Sequence, residues 1–156
     1  ATWNGYRQDK NSASCLSLEE FLNIAKDVAG ENHSFKVIQI PFNLAMPEAL
    51  VAKNQKVGGE TVSVIEAARR LGVTVIASSS LLQSQLSSNL PDFIGESLKG
   101  LETDAQRALQ FVRSTPGITT ALVGMSSLKH VEENMKVGQI PPASIEDFMK
   151  LFSGEE

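Results

Sequence analysis

The sequence is poor in the residues that build covalently or metal-held scaffolds. Cys15 is its single cysteine, which excludes an internal disulfide framework and a cysteine zinc site. No apolar run approaches the roughly 18 residues that a membrane-spanning helix needs, and no signal peptide is visible. Positive charge is not in excess. Lys and Arg number 14 against 18 Asp and Glu, a net charge of -4, so there is no electrostatic case for nucleic acid or an anionic membrane. Together these absences point to a reducing, cytoplasmic setting. Also missing are low-complexity segments and the G-x-S-x-G, P-loop, G-x-G-x-x-G and H-E-x-x-H motifs. No nucleophile–base pair stands out. Tyr6 is the one tyrosine, and the sequence gives it no basic partner. The chain opens Ala-Thr-Trp-Asn-Gly, with neither an initiator methionine nor a helix cap. It reads as though it begins inside an element.

What is present is an ordinary globular composition, 42% hydrophobic and 21% charged, on a length that suits one domain with a real core. Residues 1–16 look like a strand end and a polar loop. Ser17 and Glu20 form a capping box, and Leu18, Phe21, Leu22, Ala25 and Val28 follow at helix spacing up to Gly30. Phe35 to Ile40 predicts a buried strand, stopped by Pro41, with a short helix from Pro47 to Lys53. Gly58-Gly59 marks a turn. Ser63 and Glu66 cap a helix that ends at Gly72, and Val73 to Ala77 is a continuous apolar strand of the parallel-sheet kind. A long connection follows, with a helical turn near Asp92 to Leu98. Thr103 and Gln106 make a third capping box. The last strand is Ile118 to Val123, the last helix of the series runs from about Ser127 to Val137, and a tail helix starts at Ser144.

Strands therefore alternate with helices, and each connection is long enough for a crossover, so the sheet should be parallel. Two architectures fit: an open doubly wound sheet, or part of a (β/α)8 barrel, which normally needs about 250 residues. In either, ligands bind at the C-terminal ends of the strands. That rule favours Thr2, Asn43, Ser78 to Ser80, Gln83, Gly124 and Ser126. It disfavours His33 and Lys36, at strand beginnings, and His33 reads as a surface histidine. Gln39, an amide inside an apolar strand, should point at a ligand or into a buried network.

The stretch from Val123 to Asn134 is a strand end, a tight turn and a helix start. Free N–H groups and the helix dipole there attract an anion. Gly124 would let a ligand approach, and Ser126 and Ser127 offer hydroxyls. The plainer alternative is that one of these serines only caps the helix. Lys129 and His130 oppose the dipole in the first turn, which suits a bound anion.

Five stretches together resemble the aldo/keto reductase superfamily. ALVGMSSLKHVEEN resembles that family's last strand–helix unit, and VTVIASSSLLQ its seventh strand. VIQIPFNLAM resembles the sixth strand and ATWNGYR the end of the fifth, while DAQRALQFVRSTPGITTALVG resembles helix 7 and strand 8. The resemblance spans essentially the whole chain, with the motifs in the family's order. It implies an α/β fold in which parallel βα repeats form about half of a (β/α)8 TIM-type barrel, roughly four βα units. Residues 1–156 would be a single domain, a C-terminal half-barrel, with 143–156 a helical tail.

The resemblance further implies an NADP(H) or NAD(H) cofactor. Gln39 would flank the nicotinamide, and Thr2 matches the residue that binds its carboxamide. Ser79 and Leu81 match the pyrophosphate loop, although Ser80 stands in place of the usual proline and Leu82 of the usual glycine. Gly124, Met125 and Ser126 match the adenosine-phosphate turn. His130 occupies the position that reads the 2′-phosphate, and Glu133 and Asn134 match the pair that contacts adenine. The family's catalytic Asp, Tyr, Lys and His belong to strands 2 to 4, which this chain does not resemble. Tyr6 does not match the motif tyrosine. No metal is implied. Half a barrel would leave an inward face open, with residues such as Val37, Val75, Leu122 or their neighbours exposed. The expected partner is a second copy or a separate N-terminal half.

Overall fold

The alternation of apolar strands and capped helices becomes a parallel sheet backed by helices. The computed structural model describes residues 1–153. Three strands, β1 (Val37–Pro41), β4 (Thr74–Ser78) and β5 (Ile118–Ala121), lie side by side in that order, and both pairings are parallel. Ahead of β1, Thr2 forms an isolated parallel bridge with Gln39. There the Gln39 N–H donates to the Ala1 carbonyl at 2.7 Å and the Trp3 N–H donates to the Gln39 carbonyl at 3.3 Å. Spatial order thus follows chain order from one edge to the other. A doubly wound sheet reverses its order at a switch point, and no such reversal occurs among the described strands. The arrangement is that of an opened barrel wall. Of the roughly four βα units expected, the first is present only as this bridge.

Between β1 and β4 lie α2 (Glu48–Val51), a hairpin of β2 (Gln55–Val57) and β3 (Glu60–Val62), and α3 (Val64–Leu71). Gly58 and Gly59 both have positive φ, the backbone that a two-residue hairpin turn demands. The sequence reading had the turn but not its two strands. Ahead of β1 stand a 3-10 helix at Asn4–Arg7 and α1 (Leu18–Ala29). Beyond β4 come α4 (Asp92–Ser97), α5 (Asp104–Ser114), α6 (Leu128–Met135), a 3-10 turn at Lys136–Gln139 and α7 (Ile145–Lys150). The tail region 143–156 contains α7 and continues to residues outside the described range.

The serine and threonine caps form, but of the capping boxes expected at Ser17, Ser63 and Thr103 only that of Thr103 and Gln106 is reciprocal, and Glu66 bonds Arg69 and Arg70 instead. Ser17, Ser63, Thr103, Ser127 and Ser144 each accept the backbone N–H three residues on. The core forms where β1 and β4 turn alternate side chains toward the helices: Ile38, Ile40, Val75 and Ala77 are buried there. They pack with Val64, Ala67 and Ala68 of α3 and Phe111 and Val112 of α5 in one cluster. Phe111 stacks on Phe42 and on Phe148, each at 5.4 Å, which ties α7 to the sheet layer.

Three expectations are corrected. Val75 belongs to the helix-facing row, so it is buried, whereas Val37 and Leu122 are 38% and 42% exposed as expected of the open face. The period of two places Ile76, not Val75, on that open face. His33 is buried, and its Nδ1 accepts the Phe35 N–H at 3.2 Å. It satisfies the backbone of the loop entering β1, a role that strand polarity does not reveal. Helix α1 buries Leu18 and Leu22 but leaves Phe21, Ile24 and Val28 exposed, so its apolar stripe is wider than the surface it covers.

Candidate functional site

Three segments leave the C-terminal side of the sheet and converge. The loop after β4 supplies Leu81, Ser84 and Ser87, the turn after β5 supplies Gly124, and α6 supplies His130, Glu133 and Asn134. With Ala105 of α5 they line a polar cavity of about 210 Å³. Five of the ten residues expected to bind cofactor, Leu81, Gly124, His130, Glu133 and Asn134, therefore meet in one cavity.

Each wall has a local cause. Ser127 caps α6 by accepting the His130 N–H at 3.3 Å, so of the two serines it is Ser127 that caps. Ser126, exposed in the turn with Met125, is left to other partners. A Cβ at Gly124 would meet nothing within 4 Å, so the protein's own packing does not call for glycine there. Glu133 accepts the Thr103 hydroxyl at 2.7 Å through one carboxylate oxygen, and its backbone carbonyl accepts the Gln106 amide at 2.8 Å. These two bonds join α6 to the capping box of α5 and fix the cavity floor. Asn134 Oδ1 is buried with no hydrogen-bond partner. An unpaired buried acceptor costs about 1–3 kcal/mol.

The loop after β4 is strained where the sequence departs from the family pattern. Leu82, Gln83 and Ser84 have φ of 46°, 52° and 70°, a region that glycine enters without penalty and other residues do not. The position that the resemblance assigns to a glycine is thus held left-handed by a leucine. Ser80, at the proline position, is buried with its hydroxyl unpaired. The loop keeps a compact form regardless. The Leu82 N–H donates to the Ser79 carbonyl at 2.8 Å, the Leu86 N–H to the Leu81 carbonyl at 3.2 Å, and Asn43 donates to the Ser79 carbonyl at 2.8 Å. Ser79 itself is exposed at the end of β4.

Thr2 and Gln39 sit apart from this cavity, on the open face of the sheet. As bridge partners in a parallel pairing they share that face, and the row continues through Ile76 to Thr120. Gln39 makes no side-chain hydrogen bond among the described residues, so it joins no buried network. Tyr6 lies in the core instead, in edge-to-face contact with Phe21 at 5.9 Å. Burial pushes its hydroxyl pKa up. Its backbone carbonyl accepts from Asn54 and Gln55, so its role is structural. Among the described residues no group of three or more His, Cys, Asp or Glu could hold a metal ion, and no helix is long and apolar enough to cross a membrane.

The architecture is that of a partial (β/α)8 barrel with its wall open, and its ligand-facing side carries a polar cavity. Solved structures with the same arrangement are aldo-keto reductases. A thermostable member solved with the inhibitor epalrestat matches 88% of this chain at 20% identity and a TM-score of 0.63. A Klebsiella pneumoniae aldo-keto reductase solved with NADPH matches 87% at 21% identity and 0.62. The holo form of a Bacillus halodurans aldo-keto reductase matches 86% at 17% identity and 0.58. This chain spans less than half of each: 46%, 44% and 45% of their lengths. No family model and no curated protein matches the sequence. At these identities the likeness shows the fold: the chain has the fold of about half of an aldo-keto reductase.

Proposed function

We propose that this chain is the cofactor-binding, C-terminal half of an aldo/keto reductase barrel. It binds a nicotinamide adenine dinucleotide and does not reduce carbonyls by itself. One observation carries the reading: Leu81, Gly124, His130, Glu133 and Asn134, drawn from three separate segments of the chain, line a single cavity. That cavity fits the adenosine end of such a cofactor. Two of the neighbours in fold were solved with NADP or NADPH, which supports the choice of ligand.

The assignment follows the course of the chain. Asn134 and Glu133 would hold the adenine, and His130 would stand beside the ribose. Gly124, Met125 and Ser126 would face the adenosine phosphate, with Ser79 and Leu81 at the pyrophosphate. Thr2 and Gln39 would hold the nicotinamide on the open face. When bound, such a cofactor supplies a hydride to a carbonyl carbon. Carbonyl reduction also needs a proton donor near the carbonyl oxygen. Tyr6 is turned into the core, and no other residue of this chain matches the family's catalytic set, so binding without turnover is the expected behaviour.

The open face favours a second element of the proposal, a partner that covers it. A second copy or a separate N-terminal half would do so, and only the latter would bring catalytic residues. The setting we propose is cytoplasmic.

The test uses Trp3, the single tryptophan, whose backbone is bonded to Gln39. NADH titrated into the protein should show energy transfer from Trp3 to the nicotinamide, with no NADH oxidation across a panel of aldehydes. Absence of binding, or turnover by the isolated chain, would contradict the reading.

A further inference from the structure

We infer that the cleft between α4 and α7 binds a small organic cation, an apolar bicyclic body that carries a protonated amine. The inference is independent of the nucleotide reading. Its first part is an apolar chamber of about 370 Å³, enclosed by the loops after β1 and β4, by α4 and by the end of α7. Phe111 of α5 forms the floor and Leu86 and Ile94 the buried walls, while Phe93 and Phe152 stand exposed at the rim. Every lining side chain is apolar, so a polar group placed inside would lose its water without gaining a partner. An apolar cavity of about 150 Å³ takes up benzene, and this larger one admits two fused rings. Its floor belongs to the layer between sheet and helices, where Phe111 stacks on Phe42. The chamber shares no residue with the polar cavity beside α6.

The second part is a wider, polar mouth of about 610 Å³ that shares Phe93 and Leu151 with the chamber. Asp92 and Glu96 of α4 line it, exposed and without an ion pair among the described residues. They stand four residues apart on one helix face, where like charges repel. Glu96 also lies in the last turn of α4, beside the negative end of the helix dipole, a place that favours a cation. The protein's own cations are engaged elsewhere. Lys150 lines the same mouth, but its ammonium is 2.7 Å from Asp147 and 4.0 Å from Glu146. Arg107, which packs against Gly95 of α4, pairs with Asp104 at 2.7 Å. Lys99 lines a different cavity, together with Asp147.

Chamber and mouth adjoin, so one molecule can occupy both. Its rings lie over Phe111 and its ammonium meets Asp92 and Glu96. A carboxylate in place of the amine would be repelled by the same pair, and a neutral end would gain no Coulomb attraction from it.

Three naphthalenes of matched size test this: naphthylmethylamine, a cation at neutral pH, neutral naphthylmethanol and anionic naphthoate. Each is titrated into the full chain at low ionic strength and followed by methyl NMR. Saturable shifts should appear at Leu44, Leu86, Leu90, Ile94 and Leu151, with Val37 and Leu122 of the open face as controls. The amine should bind about threefold or more tighter than the alcohol, and naphthoate weaker than both. Asp92→Asn combined with Glu96→Gln should remove the preference for the amine and leave the alcohol unchanged. Ala45→Trp, at an exposed position on the rim, should block all three. No saturable shift at those methyls, or shifts confined to Val37 and Leu122, would overturn the inference. So would equal binding of amine and alcohol, naphthoate binding as tightly as the amine, or an amine preference that survives the double substitution.

Discussion

Asn134 and Gln39 show how single residues report on function in opposite ways. Gln39 is an amide in an otherwise apolar strand, a pattern visible without coordinates. The structure narrows its two readings by placing it on the open face with no side-chain partner. Asn134 sits on a helix where its carboxamide is unremarkable in sequence, and only the fold reveals that its oxygen is buried and unpaired. His33 was misplaced for a related reason. Its position before β1 follows from the pattern, but a hydrogen bond from the Phe35 N–H is a tertiary detail. The charged groups outside the site carry a pH prediction. Arg69 and Arg70 both bond Glu66 and hold its pKa down at about 2, against 4.5 for the free side chain. A carboxyl lowered by folding stabilises the protein above its unfolded pKa, and the gain is lost as pH falls through the folded value. Stability should therefore fall between about pH 4.5 and 2. Glu66 is solvent-facing, so the effect should be small and should shrink with salt. Denaturation followed across that range should show a shallower slope for Glu66→Gln than for the parent chain.

Helix ends were the most legible elements. Each Ser or Thr cap depends on three adjacent residues, and all five form. The widths of buried faces were less legible, because α1 and α6 lie at the two ends of the series and lack a neighbour on one side. Phe21, Ile24 and Val28 on α1, and Leu128 and Met135 on α6, stay exposed for that reason. The connection after β4 was legible, but its left-handed course was not. Its left-handed residues Leu82 to Ser84 carry none of the glycine that signals such a turn. The link between α5 and α6 rests on Gln106. Its side-chain oxygen accepts the Glu102 N–H at 2.8 Å, and its amide donates to the Glu133 carbonyl at 2.8 Å. Gln106→Ala strands these buried groups and should cost about 1–3 kcal/mol in denaturant unfolding. Because it also frees the floor of the cavity, it should weaken nucleotide binding more than Thr103→Ser does, since serine keeps the hydroxyl that bonds Glu133.

At the scale of the molecule, parallel pairing was readable from alternation alone, but strand order, and with it the choice between an open sheet and a barrel wall, was not. That choice turned on the Thr2–Gln39 bridge, which places one more strand segment ahead of β1 without a reversal. The wall's inner row of Val37, Gln39, Ile76, Thr120 and Leu122 has no covering layer among the described residues, and Val37 and Leu122 are exposed with it. An apolar face of this kind drives association. Sedimentation at micromolar concentration should therefore show a dimer or larger species, with binding of a dye for exposed hydrophobic surface if any monomer persists. A monomer without dye binding would contradict the open-face account. We propose, more narrowly, that one cavity, built by the loop after β4, the turn after β5 and α6, seats the adenosine end of a dinucleotide. Amide hydrogen exchange with and without saturating NADH tests it most directly. Added protection should concentrate in residues 81–87 and 124–134, with a smaller effect around Gln39. Protection confined to other segments, or none at a concentration where binding is measured, would contradict it.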